Sequence, residues 1–145
     1  MSTEKCKGTV LPYLFFDGRC EEALEFYRRA IGAEPFCVGR FKDAPDPAMC
    51  PPGAENRIMH AELRIGDTTV MVSDGRCTGK PVFAGFSLSL ERPTEAEADK
   101  TFAALSEGGQ VTMPIGKTFF ADRFGMLTDK FGVPWMVVSG VEKRV

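Results

Sequence analysis

No run of apolar residues in this sequence approaches the roughly 18 that a membrane span requires, and the N-terminal MSTEKCKGTV lacks the apolar core of a secretory leader. A protein that enters no membrane and stays in the cytoplasm is expected. Positive charge is also in short supply. Eighteen Lys and Arg stand against 20 Asp and Glu, a net charge of −2, which builds none of the basic field that nucleic acid or an anionic membrane surface requires. Both are disfavoured as partners. The five cysteines, Cys6, Cys20, Cys37, Cys50 and Cys77, are odd in number and widely spaced. Without a C-x-x-C pair they signal neither zinc nor a redox dithiol, and reduced thiols are expected. His60 is the one histidine, so no subunit can hold a metal with two imidazoles. There is no dinucleotide-type glycine turn and no G-x-S-x-G elbow. The stretch Gly75-Arg76-Cys77-Thr78-Gly79-Lys80-Pro81 has three residues between its glycines where a phosphate loop needs four, and it reads as a linker.

What remains is the composition of an ordinary globular protein: 43% hydrophobic and 26% charged, with twelve Phe. A chain of 145 residues fits one domain, 1–145, which buries roughly 70% of its unfolded surface. Val10 to Phe16 is an apolar and aromatic run of strand length, closed by Asp17-Gly18. Cys20, Ala23, Leu24, Tyr27 and Ile31 then fall at helical spacing, with Glu21 and Glu22 in the first turn and Gly32 placed as the stop. A short strand near Pro35 to Phe41 leads into a loop, Lys42 to Asn56, whose Pro45, Pro47, Pro51, Pro52 and Gly53 exclude helix or central strand through most of it. Long loops in compact domains often border a site. Two strands, Arg57 to Ile65 and Thr68 to Ser73, joined at Gly66-Asp67, read as a hairpin.

The order then repeats. Phe83 to Glu91 reads as a strand. Thr94 and Glu97 form a capping box ahead of the apolar stripe Ala98, Phe102 and Leu105, and Gly108-Gly109 ends the helix. Strands near Gln110 to Met113, Phe119 to Leu127 and Val133 to Ser139 follow. Two modules, about 9–75 and 83–140, thus share the order strand, helix, three strands, which makes an α+β fold.

The segments PYLFFDGRCEEALEFYRRAIGAE (12–34), IMHAELRIGDTTVMVSDG (58–75) and FFADRFGMLTDKFGVPWMV (119–137) resemble the PhnB-like branch of the vicinal oxygen chelate superfamily, which includes glyoxalases, bleomycin-resistance proteins and dihydroxybiphenyl dioxygenases. The resemblance covers nearly the whole chain. It implies two βαβββ modules whose mixed sheets form a curved trough for a ligand, helices on the convex backs, and a homodimer. The branch often carries the label demethylubiquinone methyltransferase. An S-adenosylmethionine enzyme of that kind needs alternating helices and parallel strands, which this element order does not supply.

Strand alternation assigns the faces. Met59, Ala61, Leu63 and Ile65 form one apolar face directed at the helices, which leaves His60, Glu62 and Arg64 on the trough side. Leu14, Phe16, Val70, Val72, Phe86, Leu88 and Leu90 are assigned to the core. Leu11, Tyr13, Phe15, Thr69, Met71, Ser73, Gly85, Ser87 and Ser89 are assigned to the trough, and the resemblance adds Pro134, Met136 and Val138 there with Trp135 against the helices.

Metal-using relatives hold a divalent ion with His, Gln or Glu from four strands. By the resemblance those positions here are Leu11 or Pro12, Met71, Gly85 or a neighbour, and Met136, a set with neither imidazole nor carboxylate. No metal and no cofactor are expected. A small molecule is the expected ligand, with Tyr13, Phe15, Glu62, Arg64, Met71, Ser73, Ser87 and Met136 as its binding residues. His60 is the candidate acid or base, with a structural or surface imidazole as the competing reading. Three functions follow: metal-independent binding of a small molecule, a lyase, isomerase or dioxygenase chemistry using His60, and a scaffold role.

Overall fold

A computed structural model describes residues 8–75 and 80–141. Cys6, Cys77 and the middle of the expected linker, 76–79, lie outside the described residues. The first module runs β1 (Tyr13–Phe15), α1 (Cys20–Ile31), β2 (Glu34–Arg40), β3 (Ile58–Ile65) and β4 (Thr68–Ser73). The second runs β5 (Leu88–Arg92), α2 (Glu95–Ser106), β6 (Gln110–Gly116), β7 (Ala121–Thr128) and β8 (Pro134–Val141). The strand orders correspond one to one: β1-β4-β3-β2 in one sheet and β5-β8-β7-β6 in the other. In each sheet the first strand lies parallel to the last, and the remaining pairs are antiparallel. No ladder joins the two sheets, so each presents one face to the core and one outward.

The helices form where the sequence places them. α1 buries Cys20, Ala23, Leu24, Tyr27 and Ile31, with Glu21 and Glu22 at its positive end and Arg28 and Arg29 at its negative end. Gly32 closes it at φ 69°, a left-handed conformation that costs glycine nothing, and its N–H donates to the Arg28 carbonyl. At α2 the Thr94 hydroxyl accepts the Glu97 N–H at 3.1 Å, satisfying one orphan donor of the first turn. Beyond that helix a Cβ on Gly109 would run into the Thr128 carbonyl oxygen, so only glycine lets β6 start this close to β7.

Both helices and the inner faces of both sheets share one core. Its centre is aromatic: the Phe16 and Phe131 rings lie 5.7 Å apart edge-on, and Tyr27 lies 5.6 Å from Trp135. The phenol of Tyr27 donates to Asp129 Oδ2 at 2.5 Å, tying α1 to the second module. The same carboxylate accepts the Trp135 indole N–H at 2.9 Å and the backbone N–H groups of Phe131 and Val133. A buried charge is tolerable when its lone pairs are filled in this way.

Four sequence expectations change. Val10 is 95% exposed and β1 spans only three residues: Pro12 accepts the Met71 N–H at 2.9 Å but has no N–H of its own with which to extend the parallel ladder toward Val10. The strand expected from Phe83 begins at Leu88. Gly85 takes φ 79° and bends the chain before the ladder opens at Leu88 opposite Trp135. Phe86, expected in the core, is therefore 42% exposed, and Ser87 precedes the strand. Third, the β3–β4 ladder runs in step from Ile65 opposite Thr68 to Ala61 opposite Val72. Ile58 and Asp74 then exchange hydrogen bonds, Asp74 N–H to Ile58 O at 2.8 Å and Ile58 N–H to Asp74 Oδ2 at 3.0 Å. That pairing is one residue out of step, so β3 carries one extra residue at Met59-His60. Alternation inverts across the extra residue: Ile58 takes the core position, and Met59 faces the open side. Fourth, Val138, expected among the trough residues, is buried.

Candidate functional site

A hollow of about 820 Å³ lies on the open face of the first module's sheet, beneath the proline-rich loop. Its floor is Tyr13, Phe15, Met59 and Ser73. Its roof is Phe41, Met49, Pro51 and Pro52. Phe15 and Tyr13 stand two residues apart on one strand, hence on one face, and their rings stack with centroids 4.8 Å apart and planes 6° from parallel. The loop is held over them by backbone: Phe41 N–H donates to Arg57 O, and Lys42 N–H to Glu55 O. Prolines limit the chain's freedom there, so the roof is stiff for a loop. At the rim the Arg57 guanidinium pairs with Asp17 at 3.5 Å and lies against Gly18.

Asp74 anchors this corner. It is buried, and its carboxylate accepts the N–H groups of Gly18, Cys20 and Ile58 at 2.7, 2.9 and 3.0 Å. One side chain thereby fixes the end of β1, the start of α1 and the start of β3. Burial, reinforced by the Asp74 charge, pushes the Cys20 thiol well above its usual range, which keeps it protonated and inert.

His60 sits beside Tyr13. The phenol oxygen and His60 Nδ1 are 2.8 Å apart, and the rings meet edge-on at 5.6 Å. The tautomer sets the direction of this bond: an imidazole with its proton on Nε2 accepts from the phenol at Nδ1, and one with its proton on Nδ1 donates to the phenol oxygen. Ladder register places Tyr13, Met71 and Glu62 side by side across β1, β4 and β3 on the open face. The Glu62 carboxylate accepts from the Cys37 thiol and holds it above its usual range. Arg64 is exposed near the C-terminal end of β3, its guanidinium 5.7 Å over the Phe36 ring. The Ser73 hydroxyl donates to Met59 O at 2.6 Å and accepts the Gly75 N–H at 2.8 Å, so it serves the backbone first.

The structure thus gathers Tyr13, Phe15, His60, Glu62, Met71 and Ser73 in one module, with Arg64 near the end of β3. It does not bring Ser87 or Met136 to them. Met136 lies on the second sheet, where register aligns Met113, Met126 and Met136 across β6, β7 and β8 on one open face. Met71 and Met136, two of the positions that the resemblance equates with metal ligands, therefore stand on different sheets. Among the described residues no three His, Cys, Asp or Glu side chains cluster as a metal-binding group. Thioethers are poor donors for a hard divalent ion, and the residues at these positions do not fit one.

Sequence reading did not single out Phe41, Met49, Met59 or Arg57 at this hollow. The loop's proline content was the available signal for the first two. Met59 was hidden by the extra residue in β3.

The comparisons with known proteins agree with this architecture. The family model described as 3-demethylubiquinone-9 3-methyltransferase matches residues 8–138. Protein YjdN of Escherichia coli is 38% identical over 134 residues, covering 87% of this chain and 91% of that protein. The crystal structure of protein PA1353 from Pseudomonas aeruginosa superposes with a TM-score of 0.82 at 39% identity, covering 94% of this chain and all of that one. The PhnB protein from Bacillus cereus gives 0.77 at 30% identity over 92% of this chain and all of that one. Glyoxalase-related structures at 13–14% identity share the fold. With its two βαβββ modules, a fold it shares with glyoxalase-related structures, the chain belongs to the PhnB-like family, the one described as 3-demethylubiquinone-9 3-methyltransferase.

Proposed function

We propose that this protein is a metal-independent, cytoplasmic small-molecule binding protein whose ligand occupies the hollow of the first module. The observation that carries the reading is the hollow itself: stacked aromatics below, a proline and methionine roof above, and a few polar groups at its rim. Mostly apolar walls with a small number of placed polar groups are the usual make-up of a ligand site. A thermal-shift screen of apolar and aromatic compounds tests it. Stabilisation that disappears in Phe15→Ala supports the reading. Turnover of some substrate with no stabilisation by any compound overturns it, as does stoichiometric zinc, nickel, manganese or iron in freshly purified protein. We further propose a homodimer. The aligned Met113, Met126 and Met136 on the open face of the second sheet are suited to cover by a second copy, and methionine packs adaptably at such faces. A mass that stays monomeric at every concentration in sedimentation would refute this.

The Tyr13–His60 pair favours a second reading, acid–base catalysis of the lyase, isomerase or dioxygenase kind, with His60 moving a proton that Tyr13 helps to position. His60→Ala would then abolish turnover while leaving the fold intact. Undiminished turnover removes His60 from the mechanism.

A further inference from the structure

Three described arginines are half-buried: Arg40, Arg92 and Arg123. Arg40 pairs with Glu21, and Arg123 pairs with Glu95 and Asp99. Arg92, at the end of β5, takes part in no ion pair among the described residues. Its Nε donates to Thr101 Oγ1 at 2.8 Å and one terminal nitrogen donates to Ile31 O at 3.2 Å. Both acceptors are neutral. A guanidinium carries five N–H donors in a rigid fork, so these two bonds fix its plane and leave the others to be satisfied from outside. They have somewhere to point: Arg92 lines a cavity of about 350 Å³ between the end of α1 and the first half of α2, on the helical side of the molecule and apart from the first-module hollow.

Arg29 and Lys100 line the same cavity. Among the described residues Lys100 forms no ion pair and Arg29 reaches only Glu25, at 3.7 Å, with most of its side chain exposed. Glu97 is the one carboxylate among the lining residues. Three cations against one anion around a shared hollow repel one another, which is unfavourable unless an anion joins them. The unbonded side of a fixed guanidinium suits the tetrahedral oxygens of a phosphate group, with flexible ammonium and guanidinium arms closing from the rim.

We propose that this cavity is a binding site for a phosphate-class oxyanion, with Arg92 as its fixed anchor and Arg29 and Lys100 as its mobile arms. Arg92 is bonded to Ile31 of the first module and to Thr101 of the second. An occupant would therefore brace the two modules together as well as neutralise the cluster.

Isothermal titration of the whole chain with inorganic phosphate, pyrophosphate and phenyl phosphate, with ionic strength held constant by NaCl, tests the proposal alongside thermal unfolding. Pyrophosphate is expected to bind more tightly than phosphate and to raise the unfolding temperature beyond the NaCl-matched blank. Binding of phenyl phosphate at least as tight as that of phosphate identifies an organic phosphate as the occupant, and its rejection identifies the free ion. The paired change Arg29→Ala with Lys100→Ala removes only exposed side chains, relieving mutual repulsion while losing the Arg29 contact with Glu25, so the protein should still fold cooperatively without anion while binding weakens on the order of tenfold. Arg92→Lys keeps the charge but loses the fork, and should also weaken binding. Absence of heat and of stabilisation beyond the blank overturns the proposal, as does undiminished affinity in the paired variant.

Discussion

The two modules repeat one plan, yet they spend their open faces differently. In the first, a long loop between β2 and β3 folds back over the sheet and makes a hollow. In the second, the connection between β6 and β7 is short, and among the described residues no long loop folds back over the methionine row, of which Met113 is exposed and Met126 and Met136 are half-buried. The buried carboxylates differ in the same sense. Asp74 gathers three backbone donors from its own module, whereas Asp129 adds the Tyr27 phenol and the Trp135 indole to two backbone donors and so spans both. A duplicated plan therefore leaves one half with a covered hollow, where we propose the ligand sits, and the other with the carboxylate that holds the halves together.

The sharpest way to break that comparison is to remove each carboxylate. Asp129→Ala strands four buried donors and should cost about 4 kcal/mol or more in urea denaturation, and Asp74→Ala about 2–3 kcal/mol. Equal losses would mean that Asp129 has no special part in joining the modules. A smaller contrast concerns the faces. Phe15→Ala should weaken any ligand found by the screen by about tenfold, roughly 1.4 kcal/mol, whereas Met126→Ala should leave the affinity unchanged if the first-module hollow alone holds it. A loss in both would place the ligand against both sheets, as in a dimer that joins them.

Alkali probes the same joint. Burial, with the Asp129 carboxylate beside it, holds the Tyr27 phenol well above its ordinary value of 10.0. The fold thus favours the protonated phenol, and its contribution is complete below pH 10 and lost as pH rises beyond, by about 1.4 kcal/mol per pH unit. Cys20 acts in the same direction above its ordinary 9.0. Denaturation midpoints measured from pH 8 to 11 should fall more gently in Tyr27→Phe than in the wild type. The least effect is expected at Glu21, whose carboxyl the Arg40 guanidinium holds below the usual 4.5. That stabilisation exists above pH 4.5 and fades as pH falls, and because the pair is exposed, Glu21→Gln should cost about 0.5 kcal/mol or less in neutral urea titrations.

Much of this plan was legible in the sequence because it rests on local signals. Gly32 stopped α1, Thr94 capped α2 and Gly66-Asp67 turned the hairpin, each for a reason confined to a few residues. The faces of β4 and of Leu14 and Phe16 followed from strict alternation. Met59 did not, since an extra residue in a strand depends on what Asp74 bonds, and that pairing lies 16 residues away. Phe86 failed for a related reason: an apolar run says nothing about whether a neighbouring strand begins opposite it. For the site, alternation placed Tyr13, Phe15 and His60 on one face. Arg57 and the loop residues were beyond reach, because a roof is set by how a loop returns over the sheet.

The bond from Tyr27 to Asp129 also bears on how the protein is made. The partners are 102 residues apart, so while the ribosome is still synthesising the second half, α1 has no acceptor for its buried phenol and no Phe131 or Trp135 to pack against. The nascent first half must wait with an aromatic surface uncovered, at a stage when such surfaces invite aggregation, and only the last few strands bring that exposure to an end.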